Sequence, residues 1–140
     1  MFATGYKKTF QAHLGDTSAY GNIFYMSYHR WIAITKEDFF NENVSGFSDL
    51  FKMGGIKLFV LRSSLKMFGE GRLHDRIEVQ LTCKTIRRVR VELVFRCYNL
   101  SEEKLIAESN NIIIFVDKGN KPLAIQDKIK QALLSIKAEV

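Results

Sequence analysis

The stretch Asp16–Val44, DTSAYGNIFYMSYHRWIAITKEDFFNENV, decides how this chain folds. Its first part, Asp16 to Asn22, is short and polar and contains Gly21. Its second part, Ile23 to Phe40, has neither proline nor glycine and reads as one long helix. Phe24, Tyr28, Trp31, Ile32, Thr35 and Phe39 follow the i, i+3, i+4, i+7 spacing of a single helix face. Tyr25, Met26, Ala33, Ile34 and Phe40 carry apolar character beyond that face. A helix apolar over most of its circumference has to be buried on most sides, so the rest of the chain is expected to wrap it. A helix N-terminus offers unpaired amides and about half a positive charge. Fed here by a tight polar loop, it is where chemistry is expected.

Outward from the helix the period changes. Residues 5–14, GYKKTFQAHL, have weak β character and precede the loop. Asn43, Ser45 and Gly46 end the helix, and Phe47 to Met53 fits one short helical turn before Gly54-Gly55. Ile56 to Phe68 reads as a long strand, with Gly69 to Leu73 as a connection. Arg76 to Thr85 alternates, with Ile77, Val79, Leu81 and Cys83 on one face. Val89 to Tyr98 repeats the pattern with Val89, Val91, Leu93, Phe95 and Cys97. Keeping both apolar sets on one side requires an odd turn, Ile86-Arg87-Arg88, because a slip of one residue flips every side chain. Leu105 to Val116 is a further strand closed by Asp117 to Asn120, and Ile125 to Ile136 is a terminal amphipathic helix. Strands clustered after one long helix predict an α+β fold with an antiparallel sheet, covered on its apolar face by that helix.

The chain has 140 residues, enough for one domain spanning 1–140 with a substantial core. The single proline, Pro122, lies near the C-terminus, and no linker or repeat divides the chain. The opening MFATGYKKTF lacks the apolar run of a signal peptide, and no apolar stretch is long enough to cross a membrane. A soluble, cytoplasmic protein is expected. Cys83 and Cys97 sit in strand-like apolar runs as reduced thiols, and no Cys/His cluster has zinc spacing, so neither metal nor cofactor is expected. The formal net charge is +6. That balance suits nucleic acid, a membrane surface, or an acidic protein or cofactor. Apart from Arg87, Arg88 and Arg90 the charge is scattered, the aromatic residues pattern with the core, and no nucleic-acid motif is present. Neither nucleic acid nor membrane is therefore expected as a partner.

The segment HLGDTSAYGNIFYMSYHRW, His13 to Trp31, resembles the start of the 4-hydroxybenzoyl-CoA thioesterase-like branch of the hot-dog superfamily. Asp16-Thr17, Gly21, Tyr25 and Tyr28 match its loop and Tyr-rich helix start, and the later strands extend the resemblance over nearly the whole chain. The branch's usual catalytic carboxylate falls where this chain has Ser18. Asp16-Thr17-Ser18, Gly21-Asn22, Tyr25, Tyr28, Arg30-Trp31 and Lys36-Glu37 look closer to the thioesterases of enediyne polyketide biosynthesis. This chain departs from those at Ser18, where they have Asn, and at Lys36, where they have Arg. The resemblance implies a curved antiparallel sheet around one central helix and hydrolysis of an acyl thioester carried by an acyl carrier protein or coenzyme A. The setting it implies is polyketide or fatty-acid-type biosynthesis. It also implies a homodimer or homotetramer with acyl sites at the shared interface.

On this reading the catalytic candidates are Ser18, Asn22, Tyr25, Lys36 and Glu37, and the acyl group is bound by Tyr20, Gly21, Ile23, Phe24 and Tyr28. Attack on the thioester puts negative charge on the carbonyl oxygen, and amides around Asn22 to Tyr25 could hold it. Asn22 offers a side-chain donor or an N-cap. Gly21 allows close backbone approach or simply turns the chain. Ser18 orients a water, serves as a nucleophile if a base is in reach, or is a polar loop residue. Lys36 and Glu37 face a partner, a cavity or a subunit boundary, or form an exposed patch. Tyr25 and Trp31 belong to core or acyl pocket. The alternative function is a hot-dog protein that binds acyl thioesters without catalysis. A dehydratase would need a His opposite a carboxylate, and His13 and His29 do not sit in such a segment.

Overall fold

The computed structural model describes residues 5–138. The part of the leader reading that rests on Met1 to Thr4 lies outside the described residues. β1 (Tyr6–Gln11) leads through a 3-10 turn at Leu14–Asp16 into α1 (Tyr25–Asn43) and the short α2 (Phe47–Lys52). β2 (Lys57–Ser63), β3 (Lys66–Met67), β4 (Arg76–Ile86), β5 (Val91–Asn99), β6 (Lys104–Val116), β7 (Pro122–Leu123) and α3 (Asp127–Ser135) follow. The strands form one antiparallel sheet in the order β1-β4-β5-β6-β2, with β3 and β7 also paired to β6. This is the α+β hot-dog arrangement, a curved sheet around α1.

Alternation builds the concave face. Ile77, Val79, Leu81 and Cys83 of β4 and Leu93, Phe95 and Cys97 of β5 are buried, and so are Tyr28, Trp31, Ile32, Phe39 and Phe40 of α1. Each such large side chain contributes about 1.5–3 kcal/mol when fully buried. Phe40 stacks on Phe47 with ring centroids 4.9 Å apart, which fastens α2 to the end of α1. Phe10 stacks on Trp31 at 5.5 Å, which fastens β1 to its middle. The backbone after α3 then continues the sheet where β1 stops, as Cys83 N–H donates to Ile136 O at 2.8 Å.

The turn between β4 and β5 differs from the expectation. It runs from Arg87 to Arg90, is closed by Arg87 N–H donating to Arg90 O at 2.7 Å, and takes Val89 out of the strand. Parity is restored by a bulge between Cys83 and Thr85, so Ile86 pairs with Val91 on the same face as Cys83 and Leu93. An even turn plus one bulged residue does the work of an odd turn. The long strand read at Ile56–Phe68 is interrupted after Ser63 but keeps its register, with Ser63 opposite Asn111 and Lys66 opposite Glu108. At the interruption the Ser64 hydroxyl accepts the Asn110 amide at 3.2 Å.

α1 also departs from its expected surroundings. Phe24 precedes the helix and is 46% exposed, because the Ile23 amide is held by Gly71 O in an extended segment. Tyr25, Met26 and Ala33 are exposed rather than wrapped. The sheet of one chain covers one side of α1 and leaves the rest of its apolar surface open. β2 is open as well: Phe59, Val60 and Leu61 are exposed on a strand that, among the described residues, pairs only with β6.

Candidate active site

The loop before α1 is pinned from both ends. Ser18 N–H donates to Asn22 O at 2.8 Å and Gly21 N–H to Ser18 O at 3.0 Å, while Thr17 bridges Ile23. Gly21 has φ +84°, which a side chain would strain. The Ser18 hydroxyl donates to Asn22 Oδ1 at 2.8 Å and accepts the Tyr20 amide at 3.3 Å. Its proton therefore goes to a neutral amide oxygen and not to a base. Asn22 does not cap the helix, since Phe24 holds the N-cap position without a side-chain bond. The Asn22 oxygen is turned to Ser18, and its nitrogen makes one long contact of 3.4 Å to Ile23 O.

The amides split into two groups. Ile23 N–H donates to Gly71 O, Phe24 N–H to Asp16 O and Ser27 N–H to Phe24 O, so these are spent on structure. Tyr25 and Met26, the first two residues of α1, make no backbone hydrogen bond through their N–H groups among the described residues. Such amides, at the positive end of a helix dipole, suit an anion or a developing oxyanion.

Asp16 is fully engaged. Its carboxylate lies 2.5 Å from Arg30 and accepts the His13 amide at 2.9 Å, and its carbonyl accepts the Ser27 hydroxyl at 3.0 Å. It braces the loop against α1, with each carboxylate oxygen held by one donor.

The helix start opens on a cleft of about 460 Å³ lined by Asn22, Ile23, Phe24, Tyr25 and Tyr28 on one side. Met67, Gly69 and Glu70, after β3, line the other. Tyr28 is buried, and its hydroxyl accepts the Gly71 amide at 3.1 Å. Burial pushes its pKa up to about 12, against a smaller lowering by that amide. Glu70 has only a distant partner, Arg72 at 3.9 Å, and both side chains are more than half exposed.

The cleft thus gathers Asn22, Ile23, Phe24, Tyr25 and Tyr28 from the expected set. Ser18 and Gly21 sit behind it as loop residues, and Tyr20, 88% exposed, points elsewhere on the surface. Lys36 and Glu37 lie about 17–18 Å along the helix axis from Tyr25, outside the cleft of this chain. Lys36 is half-buried, makes no ion pair or hydrogen bond among the described residues, and has its pKa lowered by burial. Sequence reading missed Met67, Gly69 and Glu70. Only the Gly69 to Leu73 connection marked that segment, and nothing local joined it to the helix.

No family model matches the chain, and no curated protein matches it in sequence. Solved structures match it along nearly its whole length. It is similar to the dynemicin thioesterase, whose crystal structures describe polyene binding, with TM-score 0.91 and 16% identity over 97% of this chain and 99% of that one. It is similar to a 1,4-dihydroxy-2-naphthoyl-CoA thioesterase from Synechocystis, with TM-score 0.85 and 15% identity over 93% and 96%. A hypothetical protein from Staphylococcus aureus in complex with CoA matches with TM-score 0.87 and 11% identity over 100% and 90%. These likenesses identify the shared fold.

Proposed function

We propose that this protein is an acyl thioesterase that hydrolyses an acyl group carried on an acyl carrier protein or on coenzyme A. Its setting is cytoplasmic polyketide or fatty-acid-type biosynthesis. The observation that carries this reading is the unspent Tyr25 amide at the mouth of an apolar-walled cleft that also holds a weakly paired carboxylate, Glu70. The hot-dog fold shared with several thioesterases supports it.

In the reaction the thioester carbonyl sits against the helix start. Glu70 accepts a proton from a water as that water attacks the carbonyl carbon. The tetrahedral oxyanion is held by the Tyr25 amide, a donor of this kind contributing about 3–4 kcal/mol. The remaining side-chain N–H of Asn22 adds a second donor within the same cleft. Collapse breaks the C–S bond, and the thiolate leaves with the proton that Glu70 received. Acid and thiol are the products. The acyl chain lies along Phe24, Tyr25 and Met67.

A second copy of the chain completes the protein in this reading. Open β2 and the exposed flank of α1 are the surfaces that dimerisation would cover. Half-buried, unpartnered Lys36 on that helix, with Glu37 beside it, would then meet the partner's surface. A tetramer of two such dimers is equally compatible with these surfaces.

The test is direct. Purified protein should release thiol from acyl-carrier and acyl-CoA esters, and Glu70→Gln should slow it. Tight acyl-thioester binding without thiol release would instead assign the non-catalytic role.

A further inference from the structure

The turn between β4 and β5 carries Arg87, Arg88 and Arg90, and two adjoining grooves meet there, both lined by Arg87. Lys130 of α3 lines one groove and Arg62 of β2 the other. All of these cations are exposed. None of them makes a side-chain ion pair or hydrogen bond among the described residues. The carboxylates at the grooves are Asp127 and Glu92, and Glu92 already accepts from Asn110 at 2.9 Å and lies 3.9 Å from Lys84. Elsewhere on the surface Lys8, Arg96 and Lys104 are paired with carboxylates. Among the described residues, unpaired Lys7, Lys52, Arg76, Lys118 and Lys121 lie singly elsewhere, whereas this end of the sheet gathers three arginines on one turn beside Arg62 and Lys130.

That end is opposite the cleft in one chain. The cleft lies by the start of β4 and the turn at its finish, about 30 Å apart along the strand. A two-fold axis through β2 reverses strand direction. Antiparallel β2–β2 pairing thus brings the basic turn of one copy to the same end of the joined sheet as the cleft of the other.

We infer that Arg87, Arg88, Arg90 and Lys130 form the docking surface for an acidic acyl carrier protein, which delivers its thioester to the cleft of the opposite subunit. This rests on the thioesterase reading and names the carrier within it. Surface arginines placed this way raise the encounter rate with an acidic partner and make it sensitive to salt. Arginine also holds carboxylates and phosphates through paired N–H donors.

The experiment uses Arg87→Glu/Arg88→Glu/Arg90→Glu in the full chain. It measures turnover of one acyl group on an acyl carrier protein, on CoA and on N-acetylcysteamine. The expected result is a fall of about tenfold or more in kcat/KM for the carrier ester, through KM, in low salt and a much smaller fall in high salt. The N-acetylcysteamine and CoA esters should change less than about twofold. An equal loss on the CoA ester would assign the arginines to nucleotide phosphates and overturn the inference. Titration of the wild type with an apo carrier protein and with duplex DNA reads docking without catalysis, so it stands even if no ester is hydrolysed. Equal affinity for DNA, or carrier binding unchanged by the triple substitution, would also overturn it. Absence of thiol release alongside salt-dependent carrier binding would sink the thioesterase reading and leave the docking surface standing.

Discussion

The Tyr28 hydroxyl accepts a hydrogen bond from the Gly71 amide at 3.1 Å, joining the first turn of α1 to the segment that carries Glu70. Both residues are buried. One step back, Gly71 O accepts the Ile23 amide at 2.8 Å, so the two walls of the cleft are tied together twice. A Cβ on Gly71 would come within 2.6 Å of Ile23 Cδ1, which is why glycine fits here.

Tyr28→Phe leaves the buried Gly71 N–H without a partner, and stability should fall by about 1–3 kcal/mol. The pH dependence has a definite sign. Burial raises the folded-state pKa of Tyr28 from 10.0 to about 12, so its contribution is complete below pH 10 and is lost as pH rises toward 12. Denaturant titrations across that window should show a steeper loss in the wild type than in Tyr28→Phe. Parallel curves would mean that Tyr28 does not report the alkaline transition.

Glu70→Gln should lower kcat by about 10²–10⁴-fold if Glu70 is the general base. Ser18→Ala should cost less than about tenfold in kcat and roughly 1 kcal/mol in stability, since it removes one hydrogen bond to Asn22. Single-turnover kinetics and thermal melts on both variants check this. The reverse ranking, with an acyl group trapped on Ser18, would make Ser18 the nucleophile.

Asn22→Ala separates a donor from a scaffold. A loss near 10²-fold in kcat is expected if its amide meets the oxyanion. Loss of stability with kcat intact would restrict Asn22 to holding Ser18 in the loop.

Asp16→Asn should destabilise the protein by about 1.5–3 kcal/mol, because it weakens charge-assisted bonds to Arg30 and the His13 amide. The folded fraction should keep kcat within about tenfold, below the loss of a general base. A kcat loss beyond 10²-fold with an unchanged melt would instead make Asp16 the base.

Val60→Lys/Leu61→Lys places charges on the open β2 edge. Sedimentation should show a dimer or tetramer for the wild type and a monomer for the variant, with activity lost in parallel. A wild type that sediments as a monomer at micromolar concentration would remove the interface.

Local spacing was enough for most of the fold. Helical period at Tyr28, Trp31, Ile32, Thr35 and Phe39, and alternation at Ile77 to Cys83, are set by near neighbours in the chain, so α1 and β4 are legible in sequence. The tight loop at Gly21 and the helix start next to it are local too, and they pointed to half of the cleft. Long-range pairing decided the rest. Glu70 shares a cleft with Tyr25 because β3 pairs with β6 and Ile23 bonds to Gly71, contacts no spacing records. Asp16 is tied to Arg30, in the second turn of α1, a pairing that the local sequence does not record. The start of α1 moved from Ile23 to Tyr25 because the Ile23 amide bonds to the distant Gly71 carbonyl and holds that residue in an extended segment. Lys36 was read as a site residue from resemblance, yet within one chain it lies far down the axis, since a rise of about 1.5 Å per residue separates what the sequence lists close together.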